Sequence, residues 1–327
     1  MGTRNASPSA FGWNFQANSA IFLMIENIKG AEKIRVEGVS EDIEIWLNDK
    51  TKIYSQVKSV TKPEDYSHVD KKLADALETL DLAAKNGDGS LFTYITNSPN
   101  PFHNTKTMSY FHGVTHLHFN ELPETAQKKI SRIIQNKGYT NLDCSKLDIR
   151  VIPFYGDDPK NRFKEIKNAV SDLLGTLNVS FPGIENEILE IWQKFFSHNA
   201  TQINTAITID KNEMIWPLIV LVIDKVPSAE YKKDFNDEEI EEVERKYKQI
   251  INQYSMLYGF TTKVIADFIK SKSEKKTFIE SYWKNYVNIV SALNADEQTK
   301  ETLIKIIINR ILTQRNCIND IKKGVNL

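Results

Sequence analysis

Four polar residues early in the chain have the types and spacing to act on a phosphodiester: Glu37, Asp42, Gln56 and Lys58. Gln56 and Lys58 flank Val57, so on an extended strand their side chains share one face while Val57 turns to the other. Glu37 closes one β-branched segment and Asp42 opens the next. If these segments pair as a meander, one or two carboxylates, an amide oxygen and an ammonium gather at one end of a sheet. Asp42, Glu37, the Gln56 side chain and the Val57 carbonyl are hard oxygen ligands of the kind Mg²⁺ prefers. A metal there would act as a Lewis acid and acidify its bound water. Lys58 would position that water, or stabilise developing negative charge, as a fixed cation. Acidic strand ends followed by Gln-x-Lys also occur on ordinary amphipathic strands, so the spacing needs support from its surroundings.

The elements around the four residues are those such a site needs. Residues 17–27 are apolar at Ala20, Ile21, Leu23, Met24 and Ile25 and predict a buried helix, with Gly30 as its stop. Three strand-like segments follow at 33–37, 42–47 and 52–60. The second alternates Ile43, Ile45 and Leu47 with polar positions, and Asn48-Asp49 marks a turn. Residues 69–85 predict an amphipathic helix through Leu73, Ala76, Leu77, Leu80 and Ala84. Strands are expected at 91–96, 114–119 and 147–155, and a helix at 123–136 with Pro123 in its first turn. Residues 1–157 therefore read as an α/β domain with a central mixed sheet flanked by helices. Beyond them strand signals nearly vanish. Helices are expected at 162–177, 184–196, 212–224, 237–258, 262–270, 275–293 and 296–323, making 158–327 an all-α domain for assembly or partner binding. Its last helix carries Leu303, Ile306, Ile307, Ile311 and Leu312, apolar enough to bury against another subunit.

Composition narrows the possibilities. With 327 residues, two domains are the natural expectation. The 41% hydrophobic and 26% charged content is that of a globular protein rather than a disordered one. A net charge of −1 excludes a polybasic coat protein but leaves room for a local basic surface. Cys144 and Cys317 cannot build a disulfide scaffold or a four-cysteine zinc module, and they fit a reducing cytoplasm. The most apolar run, Met214–Val226, is too short to span a bilayer, and no secretory signal is expected. The phosphate-binding Gly-x4-Gly-Lys-Ser/Thr loop does not occur, so any ATP hydrolysis must come from another chain.

Three motifs carry a resemblance: Gly12-Trp13-Asn14-Phe15-Gln16 before the apolar helix; Val36-Glu37-Gly38 with Glu41-Asp42-Ile43-Glu44-Ile45; and Tyr54-Ser55-Gln56-Val57-Lys58. Over roughly residues 10–155, and best over 11–60, the chain resembles the PD-(D/E)xK superfamily in its Mrr-like branch. More narrowly, it is similar to the double-stranded-DNA nuclease domain of bacterial anti-phage effectors. These include CBASS effectors with a SAVED sensor and nucleases that accompany HerA-type ATPases. The resemblance implies a restriction-endonuclease-like fold and Mg²⁺-dependent cleavage of duplex DNA in phage defence, with Mn²⁺ as an alternative metal. It implies catalytic roles for Asp42, Gln56 and Lys58, with Glu37 as a fourth member. Gln56 in place of an acidic residue departs from the superfamily's commonest form and matches Mrr-like branches. Residues 160–327 do not resemble a SAVED domain, so a cyclic-oligonucleotide trigger is not implied.

The expected partners are double-stranded DNA, further copies of the chain in a homo-oligomer, and a HerA-type or other ATPase; no membrane is expected. Weak net charge predicts DNA binding gated by oligomerisation or by a partner. The competing expectation is a catalytically degenerate scaffold or DNA-binding subunit of a larger defence complex. Gln16 is expected to support the site from the first helix. Lys71 and Lys72, opening the helix after the Gln-x-Lys strand, are candidate phosphate contacts. Glu26 reads as a solvent-exposed helix end. His116 and His118 share a strand face, but no third ligand can be placed from sequence, so they read as a partly buried strand face rather than a zinc site.

Overall fold

The computed structural model describes residues 7–86, 90–233, 235–252 and 254–327. Helix α1 (Ser7–Glu26) is buried without interruption from Phe15 to Ile25. A helix that is apolar on all sides belongs inside the protein, and α1 packs on the strands β1 (Ala31–Val36), β2 (Ile43–Leu47) and β3 (Lys52–Lys58). These form the expected antiparallel meander, with Val36 opposite Ile43 and Ile43 opposite Ser55.

Helix α2 (Val69–Asn86) crosses over to β4 (Leu91–Thr96), which lies parallel to β3. Strand β5 (Thr115–His118), helix α3 (Glu124–Lys137) and strand β6 (Leu147–Val151) complete this side, with β6 parallel to β4 and β5 antiparallel on β6. The seven-stranded mixed sheet has the order β5-β6-β4-β3-β2-β1-β7, ending in the short β7 (Ile209–Asp210). On one face Tyr54, Phe92, Tyr94 and Ile149 join Leu73, Leu77 and Leu80 of α2 and Ile130 of α3 in a closed apolar cluster. Arg150 alternates with Ile149, so it emerges on the opposite face, where it pairs with Glu26 at the end of α1.

Helices α4 (Pro159–Arg162), α5 (Lys164–Thr176) and α6 (Ile184–Ala200) follow the sheet. The chain forms two compact units that divide at a different place from 157/158. The first runs through Leu173 and takes back Glu185–Lys211; the second comprises Leu174–Ile184 and Asn212–Leu327. The reason is a tie that no local pattern reveals. Lys33 and Ile34 of β1 pair with Asp210 and Ile209 of β7. The Arg35 guanidinium, 1% exposed, donates to the carbonyls of Asn199 at 2.7 Å, Gln202 at 2.8 Å and Ile207 at 3.0 Å. A two-residue strand shows no periodicity, and residues 197–211, between the helices expected at 184–196 and 212–224, carry no strand signal of their own.

The second unit is helical as expected: α7 (Lys211–Asp224), α8 (Asp237–Ile251), α9 (Tyr254–Ser271), α10 (Lys275–Tyr282), α11 (Glu297–Thr313) and α12 (Arg315–Gly324). Its breaks correct three expectations. The helix foreseen over 237–258 ends at Ile251, and α9 runs unbroken through the foreseen gap before Thr262. Residues 275–293 divide into α10 and a 3₁₀ segment, Trp283–Val290. Residues 296–323 divide at Gln314, whose ψ of 12° leaves the helical range. Leu303, Ile306, Ile307, Ile311 and Leu312 of α11 are buried inside the chain itself. Among the described residues no helix is long and apolar enough to cross a membrane.

Candidate active site

The strand register builds the site. The Val36–Ile43 pairing extends by one residue to Glu37 and Asp42, where the Glu37 N–H donates to the Asp42 carbonyl at 2.7 Å. The Ile43–Ser55 pairing likewise sets Asp42 against Gln56. Glu37, Asp42 and Gln56 thus stand in a row across the ends of three adjacent strands. Gln16 of α1 braces the row: its Nε2 donates to Glu37 Oε1 at 2.6 Å and to the Asp42 carbonyl at 3.0 Å.

The loop joining β1 to β2 is held by a buried side chain. Glu44, 5% exposed, accepts from the Ser40 N–H at 2.7 Å through Oε1. This carboxyl occupies the space where a side chain on residue 38 would begin, so any Cβ there would displace Glu44. Glu37 carries a φ of +56°, a left-handed conformation uncommon for a residue with a Cβ. The Arg35 Nε–H donates to the Glu37 carbonyl at 3.0 Å and secures it. Backbone held in such a conformation by its surroundings is frequent at functional sites.

Asp42 Oδ2 accepts the Val57 N–H at 2.9 Å and the Gln56 Nε2 amide. The other end of the amide is fixed too, since the Thr79 hydroxyl of α2 donates to Gln56 Oε1 at 2.5 Å. Burial pushes the Asp42 carboxyl up to about 6; the Val57 N–H and the Lys58 charge oppose the rise, and Glu37 adds to it. Lys58 has no ion-pair partner among the described residues, although its charge acts on the carboxyls of both Asp42 and Glu41.

Glu41 is the site residue that the spacing argument passes over. It is 5% exposed, and neither carboxyl oxygen makes a hydrogen bond of good geometry, because the nearby Thr79 hydroxyl donates to Gln56 instead. Burial and the adjacent Asp42 carry its pKa to about 8, tempered by Thr79 and Lys58. A Glu-Asp pair just before a strand reads as a solvated turn. Only the fold of the loop reveals that Glu41 points inward, and the available signal was its place within the Glu41-Asp42-Ile43 motif.

The structure thus brings together Gln16, Glu37, Asp42, Gln56 and the Val57 N–H. Of the two candidate phosphate contacts, Lys71 is exposed, whereas Lys72 is half-buried and donates to the Ser59 carbonyl. Burial lowers the Lys72 pKa, and Lys58 lowers it further. Glu26 is the exposed end of α1, as expected, and there it pairs with Arg150.

No family model matches the chain. No curated protein matches it either. Solved structures of the Acinetobacter baumannii Cap4 SAVED/CARF-domain containing receptor are similar at low level. The complex with the cyclic trinucleotide 2'3'3'-cAAA aligns at 9% identity and a TM-score of 0.39, over 65% of this chain and 45% of that one. The same receptor in a second structure aligns at 9% identity and a TM-score of 0.39, over 64% and 47%. The complex with 3'3'3'-cAAA aligns at 11% identity and a TM-score of 0.38, over 64% and 45%. The chain spans about half the length of the solved structures it matches.

Proposed function

We propose that the chain is a divalent-metal-dependent endonuclease that hydrolyses phosphodiester bonds of double-stranded DNA, with a restriction-endonuclease-like first unit. The observation that carries this reading is the Glu41 carboxyl, buried beside Asp42 with neither oxygen in a hydrogen bond of good geometry. A buried carboxyl pair needs a proton or a cation between its members. The groups on these neighbouring strand ends that could close around a cation are all oxygen donors: Glu41, Asp42, Glu37, the Gln56 side chain once its amide turns, and the Val57 carbonyl. That set fits Mg²⁺, with Mn²⁺ as a substitute.

Mg²⁺ bound at this set would supply Lewis-acid stabilisation of the scissile phosphate and a more acidic water. The chain's own groups divide the remaining work. Asp42 and Glu41 hold the cation, and Glu37, braced by Gln16, adds charge at the rim. Gln56 serves as a ligand by rotating its amide so that the oxygen faces Asp42. The Thr79 hydroxyl satisfies either orientation, because it can donate or accept. Lys58, with its ammonium uncommitted, holds the attacking water or a non-bridging phosphate oxygen. Lys71 reaches DNA phosphates from α2, while Lys72 fixes the β3–α2 connection and adds its charge to that of Lys58.

The setting in phage defence, and gating by self-assembly or by a HerA-type ATPase, rest on the sequence resemblance. The test is cleavage of plasmid and linear duplex DNA by the purified chain with Mg²⁺ or EDTA, alone and with such a partner. Cutting that requires Mg²⁺ and falls at least 100-fold in Lys58→Ala and Asp42→Asn is expected. Cutting that persists in either variant would remove these residues from the chemistry.

A further inference from the structure

We propose a second metal site, separate from the first, on the edge-strand pair β5–β6, where His116, His118 and Asp148 hold one transition-metal ion of the Zn²⁺ class. The antiparallel register sets His118 directly opposite Asp148 and His116 opposite Arg150. Side chains alternate along both strands, so Leu117 and Ile149 turn to the apolar cluster while these four polar groups face the other way together. His118 Nδ1 lies 2.5 Å from Asp148 Oδ1, and His116 Nε2 lies 2.8 Å from Asp148 Oδ2. Two imidazole nitrogens therefore converge on the two oxygens of one carboxylate.

The three ligand atoms lie within 4.8 Å of one another. A tetrahedral ion bound at roughly 2.0–2.2 Å needs its ligands about 3.4 Å apart. The two histidine–aspartate distances must open by less than an ångström to admit one. The donors are two imidazoles and one carboxylate, a borderline set that suits Zn²⁺ or Co²⁺ and contrasts with the all-oxygen set at Asp42. His118 is more than half exposed and His116 about one-third exposed, which leaves a path for the ion and a coordination position open to solvent, whereas Asp148 is largely sheltered.

The surroundings orient the ligands. Glu121 accepts the His118 N–H at 2.8 Å and fixes the end of the strand. Arg150 Nη2 lies 3.2 Å from His116 Nδ1, and its charge is matched by Glu26. When His116 binds the ion through Nε2, its proton moves to Nδ1. Arg150 then gives up that contact and keeps its pair with Glu26. The His118 proton likewise shifts from Nδ1 to Nε2, leaving Nδ1 and the Asp148 carboxylate to the ion. The ion would clip the four-residue edge strand β5 to β6.

The test is calorimetric titration of Zn²⁺ into the untagged full chain, with Co²⁺ absorption as a second readout. Asp42→Asn, His118→Ala and Asp148→Asn are compared, with circular dichroism to check folding; His118 is exposed and its truncation leaves the core untouched. One Zn²⁺ is expected to bind the wild-type and Asp42→Asn chains alike, and at least tenfold more weakly in the other two. Co²⁺ is expected to give visible d–d bands that disappear in His118→Ala. Failure of Zn²⁺ to bind the Asp42→Asn chain, or undiminished binding by His118→Ala, would overturn the proposal.

Discussion

Thr79 donates to Gln56 Oε1 at 2.5 Å from a helix on the far side of a crossover loop, so the orientation of the Gln56 amide is set by a hydroxyl that can reverse its role. This relationship makes Thr79 a positioning residue. Thr79→Val keeps the shape and removes the reversible partner. Mg²⁺-dependent cleavage is expected to fall about tenfold, with the Mg²⁺ concentration at half-maximal rate rising. Thr79→Ser should restore both. A Mg²⁺ titration of the rate in the three proteins checks this. Equal metal dependence in all three would show that the Gln56 amide needs no such partner.

The buried carboxyls predict an unusual dependence of stability on pH. Glu41 stands at about 8 and Asp42 at about 6, both above their ordinary values. The folded chain therefore binds more protons than the unfolded one between roughly pH 4 and pH 8. Stability contributed by these groups is present in full at acidic pH and is lost as pH rises through the folded values. In EDTA, the urea midpoint is expected to fall between pH 5 and pH 8. Glu41→Gln should flatten the fall and raise stability at pH 8 by on the order of a few kcal/mol. Mg²⁺ should reverse the trend in the wild type, since the cation replaces the protons. Parallel urea curves for both proteins at all pH values would contradict the burial of Glu41.

Gly38 makes a steric prediction. A Cβ there meets the Glu44 carboxyl, which must then move away from the Ser40 N–H it accepts. Gly38→Ala is expected to cost about 1–3 kcal/mol, the range for a buried polar group left without its partner. Cleavage should fall as well, because the same loop delivers Glu41 and Asp42. Urea unfolding measures the first effect and DNA cleavage the second. Full stability with full activity would mean that the loop can be rebuilt without Glu44.

The sheet meander and its acidic ends were legible because alternation at Ile43, Ile45 and Leu47 and the Gln56-Val57-Lys58 spacing are local signals. The register that sets Asp42 against Gln56 follows from them once the strands pair. Three parts were not legible. Glu41 has the sequence context of a surface turn, and its burial appears only once Glu44 and the Gly38–Glu41 backbone bond close the loop. Asp148 lies far along the chain from His116 and His118, so the third member of that cluster appears only when β6 pairs with β5. The attachment of residues 199–210 to the sheet depends on Arg35, whose guanidinium collects carbonyls that carry no side-chain pattern.

Gln16 supplies the last prediction, because its amide touches both Glu37 and the backbone of Asp42. Gln16→Leu removes the donor from Glu37 Oε1 while preserving bulk on a buried helix. The Glu37 charge, which already raises the Asp42 pKa, is then less compensated. Asp42 should hold its proton to higher pH, and the acid limb of the pH–rate profile should move upward by about half a unit to one unit. At pH 8 and saturating Mg²⁺ the rate should recover most of its loss, because the proton is then gone from both forms. Rate profiles from pH 5.5 to 9 for the wild type and Gln16→Leu decide the matter. A uniform loss across the whole range would instead mean that Gln16 places the strand ends without setting their charge.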